Sequence, residues 1–402
     1  MRYLRMIAFC LSVHLMVFVA AIRVGAWTPY DSDWRAFLTG GRMVLRGQGA
    51  ELGSLEAQTR VQQEAFPELE PENLLVFMHP PWLAAILAPF SALGTPWGAF
   101  AWDALVSIAF AVVLVRLQEE LAGDRERSAA LILTLTFTPA IMTILQGQLA
   151  AFITLALIGA WQALRRGDET RAGLWLGLVL VKPHLLLVPA VALLASRRFR
   201  SLVALGGCGV AALLLALATV GTAGLKGWVT LLSVVSRWEG KATVASWRFP
   251  CLRGVASLVV PPGSPLSRPL WMTASALVVL SIAVFAARRS SREGRGLDRL
   301  FALVPFGLVL SAPQLYFYDT LELSLTSLIL WRARGEGRLG RALAVFPFAL
   351  YVVLIAFVVF AARTVTAPLV GVFLIPFFVA TAVASLSSGE PSGCSPSGGA
   401  PS

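Results

Sequence analysis

The sequence predicts an all-α polytopic membrane protein, and three observations carry that prediction. Apolar residues make up 57% of the 402 and charged residues only 14%, against roughly 45–50% and about 25% in soluble domains. Apolar runs of about twenty residues, each long enough to cross a bilayer as a helix, recur along the whole chain. The basic residues sit between them. The formal net charge is +11, yet the arginines gather in short loops: Arg165, Arg166 and Arg171, then Arg197, Arg198 and Arg200, then those of 288–299 and 332–341. This is the positive-inside pattern, which orients spans and argues against a nucleic-acid partner. Lysine occurs only at 182, 226 and 241, and the four cysteines show no metal-ligand spacing.

Orienting the basic loops inward places each element. Residues 6–26 read as an uncleaved first span with the N-terminus inside. A first external loop follows at 28–78. Within it, 34–47 predicts an interfacial helix whose apolar face holds Phe37, Leu38, Gly41, Val44 and Leu45. Further spans are expected at 99–117, 129–144, 149–164, 201–220, 268–287, 299–312, 314–331, 342–362 and 366–386.

Two segments resist a simple crossing. Residues 79–94 hold Pro80, Pro81 and Pro89 and read as a short crossing or a re-entrant piece. Residues 172–195 have arginines at both ends and read as two short helices turning at Lys182-Pro183, where proline disfavours helix. With them the bundle has roughly 10–13 membrane helices. A second external region, 221–266, contains an amphipathic stretch at 225–238. Residues 1–386 then form one transmembrane domain, and 387–402, rich in Gly, Ser and Pro, form a disordered tail.

Polar groups beside or within hydrocarbon are costly, so each is a functional candidate. Asp31 and Asp33 lie just beyond the first span. A partly desolvated carboxylate there suits a general base. The D-x-D spacing also allows a cation, and Asp33 alternatively caps the following helix. His79 stands where the chain re-enters the membrane, placed to meet a phosphate or a hydroxyl, or simply to mark a loop-to-helix junction. Gln146 and Gln148 flank Gly147 between two spans, as a hydroxyl clamp or a tight turn. Lys182 and His184 interrupt a 24-residue apolar stretch near the outer surface, and lysine is a good phosphate partner. Tyr318, Asp319 and Glu322 cluster at the outer end of a late span, Asp319 and Glu322 on one helix face. Their acids need partners, for which Lys182 and Arg253 are available.

The order of these landmarks resembles glycosyltransferase family 87. The run Asp33-Trp34, then 41–47 and a short amphipathic piece at 55–63, resembles that family's first external loop. Phe77-Met78-His79-Pro80-Pro81-Trp82, Gln146-Gly147-Gln148, Lys182-Pro183 and Ser311-Ala312-Pro313 with Tyr318-Asp319 are similar to its later landmarks. The resemblance implies a GT-C-like bundle that transfers a hexose, often mannose, from a polyprenyl-phosphate donor to a lipid or glycan acceptor. The reaction would face the exterior of a bacterial inner membrane.

The resemblance further implies that Asp33 is the base. Lys182, with His184 and Arg253, would serve the donor phosphate. Asp31, His79, Gln146, Gln148, Tyr318 and Asp319 would meet sugar or acceptor. No cofactor is expected, a divalent metal being compatible but not required. A transporter or lipid flippase also places rare charges in spans and is the competing expectation.

Overall fold

The computed structural model describes residues 2–23, 32–239, 244–288, 292–361 and 367–387. Asp31 and the expected tail therefore lie outside the described residues. Among the described residues the chain is helical and contains no strand, as an all-α polytopic membrane protein requires, since a helix satisfies its own backbone polar groups in lipid.

In order the helices are α1 (Arg2–Arg23), α2 (Trp34–Leu45), α3 (Leu55–Ala65), α4 (Pro81–Ala92), α5 (Trp97–Glu119), α6 (Asp124–Leu135), α7 (Thr138–Leu145), α8 (Ala150–Arg165) and α9 (Glu169–Leu176). Then come α10 (Leu187–Ala195), α11 (Phe199–Val235), α12 (Leu252–Ser257), α13 (Ser267–Ala287), α14 (Gly294–Ser311), α15 (Leu323–Arg332), α16 (Gly337–Leu343), α17 (Phe346–Ala361) and α18 (Ala367–Ser387).

Among the described residues, α5, α11, α13, α18 and the stretch Gly337–Phe357 are long and apolar enough to cross a membrane. The pair α6 and α7, bent by 50°, makes a sixth. Several expected crossings are instead built from shorter pieces. Helix α4 has 12 residues and α8 has 16. The expected span at 314–331 becomes a 3-10 turn, Phe317–Glu322, followed by the ten-residue α15. Proline explains the breaks: Pro139, Pro183 and Pro313 each stand where a helix would otherwise continue.

The segment 172–195 does double back. Glu169 at the start of α9 pairs with Arg198 just after α10, at 3.4 Å, and the Ser201 hydroxyl donates to the Glu169 carbonyl. Both arginine-rich ends are thus together, and Lys182 lies at the far turn between two 3-10 segments, Gly177–Val181 and Pro183–Leu186.

The turn around 49–53 and helix α11 are joined by close backbone approach. A Cβ on Gly53 would lie 2.1 Å from the Gly227 carbonyl carbon, and one on Gly49 would lie 2.5 Å from the Thr219 oxygen. Helix α11 bends between them at Gly221, whose φ of 66° favours glycine. The amphipathic stretch expected at 225–238 is the part of α11 beyond this kink.

Candidate active site

The segment between α2 and α4 builds one wall of the site. Gln58 and Gln62, one turn apart on α3, are fully buried and bond an extended segment as a neighbouring strand would. Gln62 accepts from the Leu75 N–H and donates to its carbonyl, both at 3.0 Å. Gln58 accepts from the Phe77 N–H at 2.7 Å and donates to its carbonyl at 3.3 Å. Alternate residues of an extended chain present their amides on one side, so two glutamines at i, i+4 suffice to fix 74–78. Trp228 of α11 donates to the Met78 carbonyl at 3.0 Å. His79 is thereby delivered against Phe37 and Phe77, with ring centroids at 5.1 and 5.8 Å.

These elements enclose a cleft of about 1330 Å³. Nine of the described candidates line it, Asp33, His79, Gln146, Gln148, Lys182, His184, Arg253, Tyr318 and Asp319, while Glu322 is buried behind them. Residues up to 286 positions apart in the chain, Asp33 and Asp319, meet around one space (319 − 33). The sequence did not single out Arg248 or Trp228 for the site, and they line the cleft too, as does Gln314 of the polar cluster around Tyr318. The signal of Arg248 and Trp228 was present but weak, since each looked like an ordinary loop or interfacial residue.

Asp33 occupies the N-cap position of α2, but its side chain caps nothing. The capping role open to it in the sequence is therefore set aside. Its Oδ2 accepts instead from the Gln148 side-chain amide and from the Tyr318 hydroxyl, the latter at 3.3 Å. Both donors are neutral. Burial is the main influence on this carboxyl and holds it above the ordinary aspartate range; the hydrogen bond from Gln148, the charge of Lys182 and the Tyr318 hydroxyl pull the other way. A carboxylate supported this lightly keeps basicity that an ion pair would remove.

Asp319 is held differently. Its Oδ1 takes the Lys182 ammonium at 2.5 Å, and its Oδ2 takes the Tyr316 N–H at 3.3 Å. Asp319 is 2% exposed and Lys182 7%, so this is a buried pair. Lys182 also lies 5.1 Å from the Tyr318 ring. The expectation of Lys182 as a free phosphate cation meets this geometry: Asp319 already balances its charge. Glu322, three residues on in the same 3-10 turn and fully buried, has no hydrogen-bond partner for either oxygen among the described residues. One lysine thus stands near two carboxyl groups.

Arg253 reaches the cleft but is also engaged, with Glu239 and the Trp238 carbonyl at 3.2 Å and the Pro313 carbonyl at 3.3 Å. Burial, and then the charge of Lys182, hold the His79 imidazole down at about 3. It is neutral near pH 7 and suits a hydroxyl better than a phosphate. Trp102 donates to the Gly147 carbonyl at 2.7 Å, which steadies the Gln146-Gly147-Gln148 turn. Among the described residues no three His, Cys, Asp or Glu side chains gather as a metal site would require.

A multi-pass helical membrane protein with a large cleft, walled by the segment between α2 and α4 and the tip of a folded-back span, is the class these features define. The family model described as glycosyltransferase family 87 matches residues 77–313. That is more than half of the chain, and the protein belongs to this family: it is a membrane glycosyltransferase. The match takes in His79, Gln146, Gln148, Lys182, His184 and Arg253, whereas Asp33, Tyr318 and Asp319 join them through the fold. No curated protein and no solved structure matches the chain.

Proposed function

We propose that the protein transfers a hexose, mannose in the first instance, from a polyprenyl-phosphate donor to a hydroxyl of a lipid or glycan acceptor. The reaction takes place at the external face of a bacterial inner membrane. The supporting observation is Asp33: a carboxylate held by two neutral donors on the wall of the cleft, with Oδ1 unbonded among the described residues.

Asp33 takes the proton of the acceptor hydroxyl as its oxygen attacks the anomeric carbon. The bond from that carbon to the phosphate oxygen breaks, polyprenyl phosphate leaves, and the configuration inverts. Charge grows on the departing phosphate, so cations fixed beside it stabilise the transition state more than the ground state. The basic side of the cleft, which carries Arg248 and Arg253, is where this group belongs, with the His184 imidazole as a neutral neighbour. Gln146, Gln148, His79 and Tyr318 offer neutral partners to sugar and acceptor hydroxyls, and Asp31 belongs to the same loop. A metal is not required by this scheme, because side chains supply the positive charge. A lipid-borne donor, held from within the bilayer, also removes the need for a nucleotide-binding domain.

The test is transfer of radiolabelled sugar from a polyprenyl-phosphate sugar in membranes holding wild type or Asp33→Asn. Product in the wild type and none in the variant is the expected result. Full activity of the variant eliminates the base, and substrate flux without product favours the transporter or flippase.

A further inference from the structure

Four strongly basic side chains line the cleft, and three are already engaged. Lys182 is balanced by Asp319 at 2.5 Å and Arg253 by Glu239 at 3.2 Å. Arg35 donates to the Asn73 carbonyl at 2.9 Å, on a side that also carries Glu68, Glu70 and Glu72. Arg248 differs. It lines the cleft, is exposed there, and no carboxylate pairs with it among the described residues.

Its position is nevertheless fixed. The guanidinium lies over the Trp247 ring, 4.7 Å from the centroid, which restrains a long side chain. The 3-10 turn Ser246–Arg248 that carries it is clamped by Glu239, which accepts from the Ser246 N–H at 2.6 Å, from the Ser246 hydroxyl at 2.5 Å and from Arg253. Glu239 thus neutralises one arginine while anchoring the turn that presents another.

Resting on the donor class proposed above, we propose that Arg248 is the side chain that binds the donor's phosphate, while Lys182 remains a structural partner of Asp319. A guanidinium offers two parallel N–H donors to a phosphate, where an ammonium offers a point charge. An already paired lysine would have to give up Asp319 first, leaving a buried carboxylate alone beside Glu322. Arg248 has no such partner to lose. Glu239 is then a positioning residue that acts through the Ser246 turn.

The experiment measures binding rather than turnover. Purified protein in nanodiscs is titrated with a sugar-free polyprenyl monophosphate and, separately, with the parent polyprenol, following the thermal unfolding midpoint. Wild type should bind the phosphate more tightly than the alcohol. Arg248→Gln should weaken phosphate binding about tenfold or more and leave the alcohol unchanged. Arg248→Lys should recover part of the difference, and the double variant Lys182→Met with Asp319→Asn should keep most of it. Arg248→Gln binding the phosphate as wild type does would overturn the assignment, as would equal loss in the double variant. If wild type does not distinguish phosphate from alcohol, the donor class itself fails and takes this assignment with it. Arg248 is exposed, so its replacement is not expected to disturb folding.

Discussion

Helix α8 joins two polar regions of opposite character. Gln148 stands two residues before it and faces Asp33; Arg165 ends it and faces Glu120. At the Arg165 end, Glu120 Oε2 accepts from Arg165 at 2.8 Å and from Arg332, and Oε1 accepts from Gln162 at 3.0 Å. Asp298 takes the Trp161 indole at 2.8 Å, and Glu126 pairs with Arg334. Acids there are saturated by arginines. At the other end Asp33 meets only neutral donors, and the nearby cation is held by a second aspartate. The difference separates two uses of a membrane carboxylate. One ties helix ends together beneath the basic loops, and the other stands on the wall of the cleft without an ion-pair partner among the described residues.

The largest effect expected from breaking this contrast is at Asp33. Asp33→Asn should lower transfer by about three orders of magnitude, within the span usual for a positioned base, while membrane insertion is unchanged. Its stability should move the other way. The folded carboxyl titrates above its unfolded value, so the wild type loses stability as pH rises through that window, and asparagine escapes the loss. The variant should therefore melt higher than wild type at neutral pH, with the gap closing as pH falls below the ordinary aspartate range.

Lys182→Met should come next, because it strands Asp319 in a buried site. A loss of about 3–5 kcal/mol is expected in chemical unfolding. Adding Asp319→Asn should restore most of it. Failure of that rescue would mean Lys182 is held for another reason.

The acid side of the pH profile sharpens the same comparison. Activity should fall as pH drops through the Asp33 value, and that limb should lie above the ordinary aspartate range. Tyr318→Phe removes a donor that favours the charged form, so the limb should move further up. An unmoved limb would remove Asp33 as the group that titrates.

The smallest effect should be at the other end of α8. Glu120→Gln weakens partly exposed arginine contacts and should cost about 1 kcal/mol of thermal stability. Sugar transfer should remain near the wild-type rate. A large loss of transfer there would erase the distinction between the two ends.

Much of this was legible before folding. The apolar runs and the arginine-rich loops specified the helical membrane class, because lipid leaves the backbone little alternative. The prolines foretold the turn at Lys182-Pro183 and the short α4. All the described candidates but Glu322 reached the cleft, since a polar side chain among apolar ones has few places to go. The partnerships were less readable. Gln58 and Gln62 lie in the short amphipathic piece at 55–63, yet their partners are backbone amides of 75 and 77, a feature without a sequence signal. Glu239 likewise gave no sign that it would hold both Ser246 and Arg253.

Polar residues in and beside hydrophobic spans announce their importance before any folding, because burial in hydrocarbon is too costly to be idle. Which acid received the cation was left to the packing of the helices. Lys182 and Asp319 are 137 residues apart, and their pairing depends on the folded-back span meeting the 3-10 turn before α15. Asp33 was left to Gln148 and Tyr318 by the same packing. A charge is written in the residue, but whether it is balanced depends on what the fold brings within a few ångströms.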